Sequence, residues 1–131
     1  MTKKRIAKEI VAWFLALFLC FVFAKAGIAK FDDGSGWARM FRAYSFPVWF
    51  RLFIGVWEVA GAALILWPRT AAWAAGMMGA TMIGAIITFA LRGQMHGAPI
   101  VALIEATIVL VLRWPEALVL RPPAPRPALP Q

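Results

Sequence analysis

Four ionisable residues stand inside apolar runs where a charge is costly: Lys25, Arg51, Glu58 and Glu105. An unpaired ionisable side chain within a membrane span costs about 2.5–3.5 kcal/mol on insertion scales. Such residues therefore point to a partner, a ligand or a proton. Arg51 and Glu58 are seven residues apart, so on a helix they share one face. Gly55 lies between them at i+4 from Arg51 and leaves room on that face. Two basic and two acidic groups at similar depth neutralise one another. The expectation is a Lys25/Arg51 with Glu58/Glu105 cluster facing the interior of a helical bundle.

Two readings of that cluster compete. In one it is an ion-pair network that fixes helix register. In the other it lines an outward-facing pocket for a polar headgroup, a quinone ring, a proton or a small anion. His96, the single histidine, sits in the short connection Arg92-Gly93-Gln94-Met95-His96. With Tyr44, Trp49 and Trp57 it is a candidate for the pocket mouth, although a loop histidine is commonly just solvated. No catalytic residue or metal site is expected. The one cysteine, Cys20, cannot form an internal disulfide or a Cys-x-x-Cys pair. One histidine excludes a bis-His haem within the chain and argues against a self-contained zinc site. Met77, Met78 and Met82 read as adaptable packing rather than copper ligands.

The elements that must position these residues follow from composition. Of 131 residues, 63% are hydrophobic and 15% charged, and the mean hydropathy is +0.76. A soluble domain of this size has too little interior for that apolar surface. The composition excludes a typical soluble enzyme, a disordered regulator and a disulfide-stapled secreted module. The net charge of +8 is scattered between apolar runs and forms no stripe, so nucleic acid is not a partner. The bilayer is.

Four apolar segments cover about 10–29, 46–67, 71–91 and 99–114, the last continuing to 120 if it kinks through Pro115. About 20 residues at 1.5 Å each cross a ~30 Å hydrocarbon core, and helices are the default there. The reading is an all-α membrane protein with one four-span domain, 1–121, and a Pro-rich disordered tail, 122–131. A cleaved signal peptide ending near Ala24-Lys25-Ala26 is the alternative for the first segment and would leave three spans. With four spans, Lys3, Lys4, Arg5, Lys8, Arg69, Arg113, Arg121 and Arg126 share one side, and Lys30, Arg39, Arg42 and Arg92 the other. The positive-inside rule then puts both termini in the cytoplasm. Glu58 falls ~16 Å from Pro47, Glu105 ~9 Å from Pro99 and Lys25 ~6 Å from Ala29 by helical rise, all in the outer half.

The first outer connection carries Trp37, Met40, Phe41 and Tyr44 at i, i+3, i+4 and i+7, with Arg39 and Arg42 opposite. This predicts a short amphipathic interfacial helix, an anchor or a lid. The third segment has Ala72, Gly76, Ala80 and Gly84 at intervals of four. Such a smooth stripe predicts close packing, within the bundle or between two copies of the chain.

The residues also resemble the DoxX family of small four-helix bacterial membrane proteins. Phe23-Ala24-Lys25-Ala26-Gly27-Ile28-Ala29-Lys30-Phe31 is similar to the family's Gly-x-x-Lys close of helix one. Pro47, then Gly55-Val56-Trp57-Glu58-Val59-Ala60-Gly61-Ala62, is similar to its Gly-x-x-Glu-x-x-Gly-Ala signature. Glu105 stands where an acidic residue is common in helix four. The resemblance implies a four-helix bundle in the bacterial cytoplasmic (inner) membrane. Because the family name derives from a thiosulfate:quinone oxidoreductase, it also implies an accessory or anchor subunit of a quinone-linked redox system, with quinone as the candidate cofactor and a redox subunit as the candidate partner. The alternatives are a small transporter or lipid-binding protein, and a purely structural membrane subunit.

Overall fold

The computed structural model describes residues 2–117 and 127–128. Five helices follow in order: α1 Lys3–Ala29, α2 Gly36–Ala43, α3 Val48–Leu64, α4 Pro68–Leu91 and α5 Gly97–Arg113. A single 3-10 turn, Trp114–Glu116, closes the last helix. Among the described residues there is no strand.

Local sequence explains most of the boundaries. Thr2 caps α1 by accepting from the Arg5 amide, and Ser35 caps α2 by accepting from Ala38. Pro47 precedes α3, and Pro68 occupies the first turn of α4, where its missing N–H is harmless. Helix α1 begins at Lys3, seven residues before the apolar run, so its basic first turns extend the helix beyond the apolar part. Helix α5 ends at Arg113 and Pro115 lies in the tight turn that follows. Ala117 is already extended, with ψ 134°. A helix kinked on to Leu120 is not what forms at Pro115, and 118–120 lie outside the described residues. So does the Pro-rich tail, apart from 127–128.

Three stretches are long and apolar enough to cross a membrane: Lys3–Ala29, Pro68–Leu91 and Gly97–Glu116. Only 22–28% of their apolar windows is buried within the protein. Phe14, Leu17 and Phe21 on α1, Ile87 on α4 and Val111 on α5 all point outward. Water would penalise that surface at roughly 25 cal/mol per Å², and lipid does not. Helix α3 is shorter, 17 residues, and carries Arg51 and Glu58.

Helix α1 packs on α3 and α5, and α4 packs on α3 and α5, while α2 rests against α3 at one end. The core is Leu19, Phe23, Ile65, Met78 and Val109 set among alanines of four helices. Small residues permit this closeness, and the closest approach is between α1 and α3. A Cβ added to Gly27 would stand 2.9 Å from the Gly55 carbonyl oxygen and 2.9 Å from Val59. One added to Gly55 would stand 3.0 Å from the Gly27 carbonyl oxygen. The two backbones touch there.

The small-residue stripe of α4 is not packed within the bundle, the first of the two arrangements expected for it. Ala72 is packed, but Gly76, Ala80 and Gly84 are exposed, and a Cβ on Gly76 or Gly84 would meet nothing within 4 Å. The buried face of α4 is Ala71, Ala74, Ala75 and Met78, rotated from that stripe. Gly61 is packed loosely, with Met78 3.7 Å from an added Cβ. Arg113, counted by sequence among the charges of the terminal side, does not stand free there. It is buried, and its Nη1 donates to Glu9 at 3.0 Å and to Glu116 at 3.2 Å, tying the end of α5 to the start of α1.

Gly27→Ala should destabilise the fold by about 1–3 kcal/mol through overpacking against backbone, whereas Gly76→Ala should cost nothing measurable. Thermal unfolding of both variants in detergent checks this. Equal loss in the two would refute the α1–α3 contact.

Candidate functional site

The buried face of α1 runs Ala12, Ala16, Leu19, Phe23 and Gly27, in steps of three and four. Lys30, the residue that caps α1, is the next step of that stripe and is 2% exposed. On α3 the buried face runs Arg51, Gly55, Glu58, Gly61 and Ala62. Because Gly27 and Gly55 let the two backbones meet, Lys30 and Glu58 face each other across the junction. Lys30 Nζ donates to Glu58 Oε2 at 2.7 Å, and both side chains are nearly sealed, at 3% and 5% exposure. The ammonium also reaches the Ala26 carbonyl at 3.4 Å and lies 4.0 Å from the centre of the Trp37 ring.

This pair lines a cavity of about 670 Å³ at the α2 end of the protein. That volume lies within the usual range for drug-sized ligands, roughly 300–1,000 Å³. Phe41, Phe46 and Phe50 form an aromatic wall, with ring centres 5.6 Å and 5.2 Å apart along that series. Helix α4 supplies Thr81, Met82, Ala85 and Thr88. The threonine hydroxyls donate to their own helix, to Met77 and Gly84 carbonyls, so they face the cavity as acceptors at most. The lining is thus apolar and flat-sided around one ion pair.

Helix α2 covers this end. Trp37, Met40, Phe41 and Tyr44 all turn to the cavity. Charged side chains fasten the segment. Arg51 binds the Asp33 carboxylate, Arg42 donates to the Asp33 carbonyl at 3.3 Å, and Arg39 donates to the Gly34 carbonyl at 2.8 Å. At the other end Tyr44 Oη donates to Gln94 at 2.7 Å, and Arg92 donates to the Tyr44 carbonyl at 2.9 Å while lying over its ring. His96 packs edge-on against Phe89, ring centres 4.5 Å apart, at the rim.

Four charges were expected together, and they are not together. Lys25 is exposed on α1, two residues from Gly27 and so on the other side of the helix. Arg51 is buried but pairs with Asp33 rather than Glu58, and its Nε is enclosed without a partner. Glu105 is half-buried on α5, makes no ion pair among the described residues and does not line the cavity. Only Glu58 of the four lines it. Of the mouth candidates, Tyr44 and His96 line the cavity. Trp49 is exposed away from it, and Trp57 donates to the Met77 carbonyl at 3.3 Å across the α3–α4 junction. By sequence Lys30 counts among the outer-side charges, and Trp37 and Phe41 only as the apolar face of an interfacial helix; Phe46 and Phe50 are not singled out. The signal for Lys30 was present: it continues the buried stripe of α1 in helical register.

Apolar helices with outward-facing hydrophobic side chains, closed around a buried ion pair, define a helical membrane protein. The DoxX-like family model matches residues 14–112, and the chain belongs to that family. No curated protein and no solved structure matches it significantly.

Removing one member of a buried pair leaves an uncompensated charge, and Lys30→Met should cost about 3–5 kcal/mol. The double variant Lys30→Met/Glu58→Leu should recover most of that, and Lys25→Ala should leave the unfolding midpoint unchanged. Unfolding in one detergent compares all three, and a double variant no better than the single would overturn the pairing.

Proposed function

We propose that α1, α3, α4 and α5 span a bacterial inner membrane as a four-helix bundle with both termini in the cytoplasm. In this reading the protein is an accessory or anchor subunit of a quinone-linked redox system, and the cavity at the α2 end holds a quinone. Helix α3 has 17 residues, ~25 Å by helical rise, and flanking residues extend it to the membrane surfaces. Exposed Lys3, Lys4, Arg5 and Arg69, with half-buried Lys8, at the terminal end favour the cytoplasmic assignment.

One observation carries the functional reading: the Lys30–Glu58 pair lines a cavity that is otherwise apolar and aromatic. Register alone needs an ion pair but not a chamber of this size beside it. The residues present fit a quinone. The rings of Phe41, Phe46 and Phe50 and the small side chains of α4 accommodate a flat body, and the ion pair offers a charged point for a headgroup. When bound, a quinone supplies the electron-accepting chemistry. The chain's own residues bind and orient it: the aromatic wall excludes water, and the Lys30–Glu58 pair sets the polar end of the cavity toward which the head lies.

Mass spectrometry of the protein extracted in its native lipid tests this. The wild type should carry a quinone, in its oxidised or reduced form, near stoichiometrically together with a partner chain, and the Lys30→Met/Glu58→Leu variant should lose this carrier at least tenfold. A phospholipid in its place would favour lipid binding or transport. Neither in the wild type would leave the structural role.

A further inference from the structure

The two members of the ion pair differ in what they leave free. A lysine ammonium has three N–H donors. Here one goes to Glu58, one toward the Ala26 carbonyl and one toward the face of Trp37. The Glu58 carboxylate bonds through Oε2 alone, and Oε1 has no hydrogen-bond partner among the described residues. Arg51 Nε is the enclosed side-chain polar atom that lacks a partner there, so Oε1 is not enclosed by protein; it opens on the cavity that Glu58 lines. Glu58 Oε2 accepts from an ammonium 2.7 Å away, which leaves Oε1 as an unused acceptor. The hydroxyls around it do not compete, since the Thr81, Thr88 and Tyr44 hydroxyls already donate elsewhere; the other N–H groups lining the cavity are those of Trp37 and His96. Ala80 and Gly84 line the cavity and are also exposed, so it reaches the apolar exterior along α4.

We propose that the cavity selects ligands whose head carries a hydroxyl O–H, so that a lipophilic phenol or quinol binds in preference to the corresponding quinone. The O–H donates to Glu58 Oε1, and the apolar body lies along the phenylalanine wall toward the opening on α4. A quinone head has carbonyl acceptors alone, and facing Oε1 it sets one acceptor against another. Glu58 is then the residue that decides which oxidation state of the carrier is retained. This inference rests on the cavity being a quinone-type site, as proposed above.

Isothermal titration of the delipidated full-length protein under anaerobic conditions tests it with three probes of one skeleton: duroquinol, duroquinone and the dimethyl ether of duroquinol. The wild type should bind the quinol about tenfold to a hundredfold more tightly than either other probe, the range of one hydrogen bond to a charged acceptor. In Lys30→Met/Glu58→Leu that preference should fall to near unity. Quinone binding as tight as quinol binding in the wild type would overturn the inference and leave the cavity reading intact. A preference that survives in the double variant would overturn the role of Glu58. Binding of none of the three probes would overturn the cavity reading itself.

Discussion

The backbones of α1 and α3 touch where Gly27 meets Gly55, and the carbonyl oxygen of each stands 2.9–3.0 Å from where the other's Cβ would be. That contact depends on the absence of two side chains, and much else depends on it. It sets the distance at which Lys30 and Glu58, one turn further along each helix, meet at 2.7 Å. In lipid, helices gain little from hydrophobic burial against one another, so close van der Waals contact and polar pairing must hold them. The glycine crossing supplies the first and makes the second geometrically available. Separated by even one methyl group, the two charges would lie in an apolar medium without good geometry, where desolvation outweighs their attraction.

Charge elsewhere in the protein is used chiefly as fastening. Arg39, Arg42 and Arg51 hold the segment before α2, Arg92 holds the segment after it, and Arg113 joins the end of α5 to Glu9 of α1. A guanidinium suits this work because its planar donors can satisfy several carbonyl or carboxylate oxygens at once. The result is a short helix, α2, held across one end of the protein with its aromatic face inward. The Lys30–Glu58 pair is the exception: it closes the α1–α3 junction and also forms part of a cavity wall.

The helices and their apolar exteriors were legible because lipid-facing segments need long apolar runs and intramolecular backbone hydrogen bonds. So was Glu58, since a carboxylate flanked by Gly55 and Gly61 in such a run needs a reason to be there. Its partner was harder to find. Depth along the chain favours Lys25, ~6 Å inside Ala29, over Lys30 at the helix end, and depth carries no information about direction. Angular position on α1 does: Lys30 continues the stripe from Ala12 to Gly27, and Lys25 stands about 200° away from Gly27 at 100° per residue. Asp33 as the partner of Arg51 was not readable, because it depends on how the connection before α2 folds back. The stripe of Gly76, Ala80 and Gly84 was legible as a smooth surface, but smoothness does not say which neighbour it meets, and within the bundle α4 turns another face inward.

Composition and periodicity alone determined that the chain is helical, apolar on its outside and sparing with interior charge, because those are demands that a membrane places on every segment separately. The residue types of the amphipathic stretch at Trp37–Tyr44 were equally local, and α2 forms there. Which charges meet was decided only by the tertiary structure. A pair forms where two helices approach, and the approach is governed by rotation about the helix axes and by the two glycines at the crossing. The cavity arises at the same level: its aromatic wall comes from α2, the Phe46 connection and α3, segments that acquire a common interior only when α2 is folded over their end.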